Sequence, residues 1–197
     1  MFDTITRHKS KRIYSEKEKK CSVLIPLVFK ENEWHILFEI RSHTLKKQPG
    51  EICFPGGRME KEDLDSKSCA LRETQEELLI SPQNIEYIGE LDYFLSHSNL
   101  RVDVHVGILL DYRNTFNEEV ETIFTVPLSY FLENEPELYY NTLQTIPDPS
   151  FPFEEIPNGK DYKFSKGLSD TPVYRYKEHF IWGLTARVLY HNIQYFK

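Results

Sequence analysis

The amino-acid sequence predicts a mixed α/β (α+β) fold, with helices packed on a mixed β-sheet. Three observations point there. Two apolar runs, residues 22–30 (SVLIPLVFK) and 34–41 (WHILFEIR), read as strands. Residues 54–80 join a Pro-Gly-Gly turn to a helix with a carboxylate face. Further strands follow, and residues 183–195 read as an amphipathic helix. The order is strands, helix, strands, helix. By pattern alone it fits an α+β arrangement or a mixed α/β sandwich.

Residues 1–20 hold Arg7, His8, Lys9, Lys11, Arg12, Lys17, Lys19 and Lys20 and read as a basic, solvated arm. Residues 21–197 read as a single domain. Glu31-Asn32-Glu33 joins the first two strands as a hairpin. Residues 41–49 are a polar, basic loop, and 52–54 a short strand entering Gly56-Gly57. Ser81-Pro82 stops the first helix. Residues 85–95 form a strand with a bend at Gly89, and 102–110 form the next. Residues 117–121 are an acidic turn. Residues 123–126 are short and apolar, and Pro127 opens a helix through Phe131. Strands are expected at 137–145 and 174–181, separated by a proline-rich loop at 147–159.

At 197 residues the chain has the length for one domain with a substantial core. A hydrophobic content of 40% with 14% aromatics supports a globular chain. The net charge of −7 argues against a non-specific nucleic-acid binder. It does not argue against a phosphorylated substrate, because bound metal ions reverse the local field. Cys21, Cys53 and Cys69 are unevenly spaced with no CxxC pair, so free thiols in a reducing cytoplasm are expected rather than disulfides or zinc. No run reaches the ~18 apolar residues of a membrane span, and the N-terminus has no apolar secretory segment. A homodimer remains open.

The helix in residues 54–80 carries the chemistry. Glu73, Glu76 and Glu77 share one face at i, i+3 and i+4, with Arg72 at its flank. Leu64, Leu71 and Leu78, at heptad spacing beside Ala70 and Thr74, are expected to face the core. Clustered carboxylates repel one another unless cations sit among them. Oxygen-only ligands suit Mg²⁺ or Mn²⁺. The glycines allow close backbone approach, so a carbonyl there can join the ligands. The bland alternative is a solvated acidic face with an ordinary Arg72–Glu76 pair.

The stretch resembles the Nudix box, G-x5-E-x7-R-E-U-x-E-E-x-G-U with U aliphatic. Gly57, Arg72, Glu73, Glu76, Glu77 and Ile80 match. Asp63 replaces the first Glu, with one extra residue before Arg72. Thr74 takes the first aliphatic position, and Leu79 replaces the late Gly. The resemblance implies a Nudix α/β/α sandwich with a catalytic loop-helix-loop. It also implies divalent metal held by Glu73, Glu76, Glu77 and the Gly57 carbonyl. Arg72 would orient this cluster.

Residues 37–57, LFEIRSHTLKKQPGEICFPGG, resemble the signature that precedes the box in coenzyme A pyrophosphatases. Leu37, Arg41, Ser42, Leu45, Gly50 and Phe54 through Gly57 match. Lys46 stands for the usual Arg and Ile52 for Val, while Ile40 and Gln48 depart. FIWGLTARVL, from Phe180, is also similar to that subfamily. The implied reaction is metal-dependent hydrolysis of coenzyme A, or its acyl derivatives, to 3′,5′-ADP and 4′-phosphopantetheine. Arg41, Ser42, Lys46 and Phe180 are the implied substrate contacts. An Arg fork suits a terminal phosphate; alternatively Arg41 pairs with Glu39 or Glu51. Lys46 and Lys47 can equally be solvated lysines, and Phe180 with Trp182 can stack on the ligand or belong to the core. Glu119 is the candidate general base, in a turn that also reads as solvated acid. His97 reads as a surface histidine and His105 as a structural one. Two further functions stay open. One is hydrolysis of another nucleoside diphosphate derivative such as ADP-ribose or NADH. The other is a Nudix-fold regulatory binding module.

Overall fold

The computed structural model describes residues 18–197, so most of the expected N-terminal arm lies outside them. Lys19 and Lys20 already belong to the first strand. In chain order the elements are β1 (Lys19–Lys30), β2 (Glu33–Arg41), β3 (Ile52–Cys53), β4 (Gly56–Arg58) and α1 (Ser66–Leu78). Then come β5 (Ile85–Leu95), β6 (Leu100–Leu109), β7 (Val120–Pro127), α2 (Leu128–Glu133) and β8 (Glu137–Gln144). β9 (Lys166–Tyr176), β10 (His179–Ile181) and α3 (Gly183–Asn192) complete the chain, followed by a short 3-10 turn.

Among the described residues, seven strands form one mixed sheet. β3, β2, β1, β6 and β5 lie side by side, β4 pairs with β1, and β7 pairs with β2. β1 and β6 run parallel, with Leu24 opposite His105, while the other pairings of this sheet are antiparallel. β8, β9 and β10 make a separate antiparallel sheet.

The main sheet is covered on both faces, which is why β1 and β2 read as near-continuous apolar runs. Leu24 and Leu37 pack with Ala70 and Leu78 of α1. Alternate residues point the other way. Ile25, Ile36 and Phe38 pack with Phe131 of α2 and with Ala186, Val188 and Leu189 of α3. Phe38 is fully buried and stacks on Phe54 at 5.0 Å and Phe124 at 5.3 Å. The result is the expected α/β/α sandwich.

Several expectations shift. Leu64 is not a core residue; it is 95% exposed. The helix begins only at Ser66, because Asp65 caps it. The Asp65 carboxylate accepts from Ser68 N at 2.7 Å, and Ser68 Oγ accepts from Asp65 N at 3.0 Å. The expected Ala70, Thr74 and Leu78 are buried, joined by Cys69 and Glu77, while Leu71 is only half-buried. The Gly-Gly turn is itself a strand, β4, paired with Val23 and Ser22. The strand expected at 174–181 is a hairpin of β9 and β10, turning at Lys177 in the left-handed region (φ 53°). The bend at Gly89 is a register shift against β6 between Tyr87 and Gly89. α1 ends on Leu79, which takes the left-handed cap conformation (φ 49°, ψ 39°) usual for Gly.

Candidate active site

The acidic end of α1 is pressed against β4, and the two glycines make this possible. A Cβ on Gly57 would lie 2.5 Å from the Glu73 carboxyl carbon, and one on Gly56 would strike the β1 backbone at Ser22 and Val23. Gly56 N donates to Glu77 Oε2 at 2.8 Å. The Cys69 thiol donates to the Gly57 carbonyl at 3.8 Å.

Arg72 organises the opposite side of the cluster. Its Nε and Nη2 donate to the two carboxylate oxygens of Asp63, both at 3.0 Å. Nη2 also reaches Glu73 at 2.9 Å, and Nη1 reaches Glu76 at 3.3 Å. The bidentate partner is thus Asp63, the residue standing in for the first Glu of the box, and the i, i+4 pair with Glu76 is the longest of its ion pairs. The Arg72 hydrogen bonds hold the Asp63 carboxyl below its ordinary range.

The three helix carboxylates occupy different environments. Glu76 is the most solvated, with a side chain 57% exposed, and Glu73 is mostly buried. Glu77 is 5% exposed. Burial pushes its pKa up to about 8, against the opposing Gly56 N–H, with the nearby Glu73 charge adding to the rise. Burial raises Glu73 as well, with Arg72 opposing. Among the described residues no three Asp, Glu, His or Cys side chains already enclose a common point. Glu73 and Glu76 are drawn to Arg72, and Glu77 to Gly56.

Loop contacts bring two distant segments to this helix. Asn117 N donates to the Glu77 carbonyl at 2.8 Å, and the Asn117 side chain accepts from Glu119 N at 2.8 Å. Ser42 N donates to the Glu119 carbonyl at 2.8 Å. The expected acidic turn is therefore strapped between the end of α1 and the end of β2.

A cavity of about 420 Å³ opens at this junction. Its acidic residues are Glu51, Glu73, Glu77 and Glu119, with Gly56 and Gly57 beside them. Arg41, Lys47 and Arg58 supply positive charge. Leu100, Val102, Trp182 and Leu184 supply an apolar wall. Arg41 makes no ion pair with Glu39 or Glu51. Its backbone N–H bonds the Glu51 carbonyl at 2.9 Å, and its buried Nε has no hydrogen-bond partner.

Of the residues expected to meet substrate, only Arg41 lines the cavity. Ser42 is 5% exposed, and its hydroxyl pairs with Thr44 Oγ1 at 2.9 Å, so it braces the loop. Lys46 points elsewhere and Lys47 lines the cavity in its place. Phe180 also lies outside the lining; its ring sits under the Arg175 guanidinium at 4.7 Å, and Trp182, on the same stretch, is the aromatic at the cavity. His97 is exposed. His105 is buried between Tyr87 OH and Ser66 Oγ, both at 3.1 Å, as a structural histidine should be.

Arg58 has no place in the sequence reading, and Glu39 appears there only as a possible partner of Arg41. Arg58 follows the glycines directly. Glu39 is 1% exposed in β2, where the charges of Glu77, Arg41 and Glu119 act on it. Burial pushes its pKa well up, and Glu77 adds to the rise. The available signal was a lone carboxylate inside the apolar run WHILFEIR.

The NUDIX domain family matches residues 19–161. The mouse peroxisomal coenzyme A diphosphatase NUDT7 is 39% identical over 123 residues, 61% of this chain and 51% of that protein. Nudix hydrolase 15, mitochondrial, of Arabidopsis thaliana is 32% identical over 88% of this chain and 57% of its own length. The chain thus spans about half the length of these two relatives. The Nudix hydrolase NudL of Enterobacter sp. (strain 638) is 32% identical over 87% of this chain and 79% of that protein. Among solved structures, a C. elegans Ap4A hydrolase binary complex is 17% identical, with a TM-score of 0.48, covering 58% of this chain and 84% of that one. With the family spanning most of the chain and its box laid out on α1 and β4, this chain belongs to the Nudix family.

Proposed function

We propose that the chain hydrolyses the pyrophosphate bond of coenzyme A or its acyl derivatives, giving 3′,5′-ADP and 4′-phosphopantetheine. The observation that carries this reading is the composition of one cavity. Carboxylates, an unpartnered buried arginine donor and an apolar wall face the same 420 Å³ space. Those three chemistries match a pyrophosphate, a terminal phosphate and a pantetheine arm. The mouse relative is named for the same substrate.

Nudix hydrolases generally need divalent metal ions, and these residues suit Mg²⁺ or Mn²⁺. The donors are all oxygens. Burial and the Glu73 charge both hold Glu77 towards its neutral form, and a divalent cation would favour the ionised, ligating form. Glu73, Glu76, Glu77 and the Gly57 carbonyl would hold it. A bound divalent ion supplies charge neutralisation at the phosphates and a lowered pKa for the attacking water. The chain's own residues do the rest. Arg72, fixed by Asp63, positions Glu73 and Glu76. Glu119, on its strapped turn, accepts the proton of the attacking water. Water oxygen bonds to one phosphorus, the bridging P–O bond breaks, and two phosphate monoesters leave. Arg41 donates to the 3′-phosphate. Trp182, Leu100 and Leu184 receive the pantetheine arm. The three free thiols, at Cys21, Cys53 and Cys69, fit a reducing compartment such as the cytoplasm.

The test is chromatographic product analysis across coenzyme A, acetyl-coenzyme A, ADP-ribose and NADH, with and without Mg²⁺. Mg²⁺-dependent release of 3′,5′-ADP, fastest from coenzyme A or its acyl form, is expected. Faster turnover of ADP-ribose or NADH would replace the substrate assignment, and no turnover of any would favour a binding module.

A further inference from the structure

Glu39 sits in the middle of an otherwise apolar strand, and strand alternation puts it on the sheet face of Leu37. Leu37 packs with Ala70 and Leu78 of α1, so Glu39 lies beneath the helix that carries Glu77. Of the three charged groups that act on it most strongly, Glu77 and Glu119 are acidic and Arg41 is basic. Its Oε2 meets only the weak Cys53 thiol at 4.0 Å, and its buried Oε1 has no hydrogen-bond partner. Arg41 is the one positive charge among these groups and opposes the rise in the Glu39 pKa, yet no ion pair joins it to Glu39, and the Arg41 Nε is likewise buried without a partner. A charged carboxylate enclosed to this degree, facing other carboxylates, is strongly disfavoured; it either keeps its proton or is completed by a cation. The side chain would pack better as an apolar residue if its only task were to fill the sheet.

We propose that Glu39 is an additional ligand of the divalent-metal site, reaching it from β2 below while α1 supplies Glu73, Glu76 and Glu77 from above. This rests on the reading of the helix carboxylates as metal ligands. The consequence is mechanical as well as chemical. A cation shared by β2 and α1 ties the helix to the sheet, so metal binding stabilises the fold and not merely the helix face.

The test is Mn²⁺ titration followed by the electron paramagnetic resonance signal of free Mn²⁺, on wild type, Glu39→Gln, Glu39→Met and Glu77→Gln. Thermal melts in EDTA and in Mg²⁺ accompany it. Both Glu39 variants are expected to weaken at least one Mn²⁺ site tenfold or more. They should melt no lower than wild type in EDTA and gain less on adding Mg²⁺. Wild-type Mn²⁺ number and affinity in Glu39→Gln, with Glu77→Gln weakened, overturns the role of Glu39 and leaves the helix cluster standing. Unchanged binding in Glu77→Gln overturns the cluster, and Glu39 with it. Loss of folding, or of stability in EDTA, in both Glu39 variants marks the carboxylate as a satisfied structural group and also overturns the proposal.

Discussion

Arg41→Ala is the substitution that most directly tests which end of the substrate the basic loop reads. The Arg41 guanidinium lines the cavity, makes no ion pair among the described residues and leaves a buried Nε unbonded. Its removal therefore breaks no ion pair on which the loop depends. That loop is held by backbone bonds from Arg41 N to the Glu51 carbonyl and from Ser42 N to the Glu119 carbonyl, which alanine retains. If Arg41 bonds the 3′-phosphate, the contact is a charge-assisted hydrogen bond of roughly 1.5–3 kcal/mol. At about 1.4 kcal/mol per decade, this is a preference of about ten- to a hundredfold in kcat/KM for coenzyme A over 3′-dephospho-coenzyme A. The assay is four specificity constants, two proteins by two substrates. Wild type should show the preference. Arg41→Ala should lose most of it while hydrolysing the dephospho substrate at close to the wild-type rate. Equal slowing of both substrates would refute the reasoning and place Arg41 at the pyrophosphate or in the architecture of the loop.

Glu76→Gln and Glu77→Gln should each lower turnover by about a hundredfold or more without unfolding the protein, because each would support a cation that stabilises the transition state; near-normal rates at saturating Mg²⁺ in both would remove the metal assignment. The pH dependence of metal-free stability has a definite sign. The folded pKa of Glu77, about 8, lies above its ordinary 4.5, so the folded state holds the proton more tightly and stability falls as pH rises from about 4.5 towards 8. Mg²⁺ should consequently raise Tm more at pH 8 than at pH 6, and melts in EDTA and Mg²⁺ that superimpose at both would contradict this. Leu79→Gly should stabilise the protein by about 0.5–1 kcal/mol, since a left-handed Leu costs about 1–2 kcal/mol and glycine's extra chain entropy takes back part of it. Leu79 is 59% exposed, so little packing is lost, and a chemical-denaturation midpoint that falls would refute the strain.

Local pattern alone determined the elements and their faces. The spacing of Glu73, Glu76 and Glu77 specifies a shared helix face wherever the helix sits, and the apolar runs in β1 and β2 announce strands. The Gly-Gly turn and Asp63 were recognisable because the Nudix box is a contiguous motif. Where local signals misled, a tertiary or capping contact overrode them. Leu64 lost its place in the core once Asp65 capped the helix after it. Phe180 and Trp182 could not be told apart from composition: Phe180 lies in β10 under Arg175, and Trp182, at the start of α3, lines the cavity.

The site as a whole was decided only by long-range register. Glu119 joins Glu77 and Arg41 because β7 pairs with β2 and two backbone hydrogen bonds strap its turn between them. Glu39 enters the same neighbourhood because β2 lies under α1. Helical spacing and strand alternation act over a few residues and are written in the chain. The meeting of segments far apart in sequence is set by strand order and packing, which no local periodicity encodes.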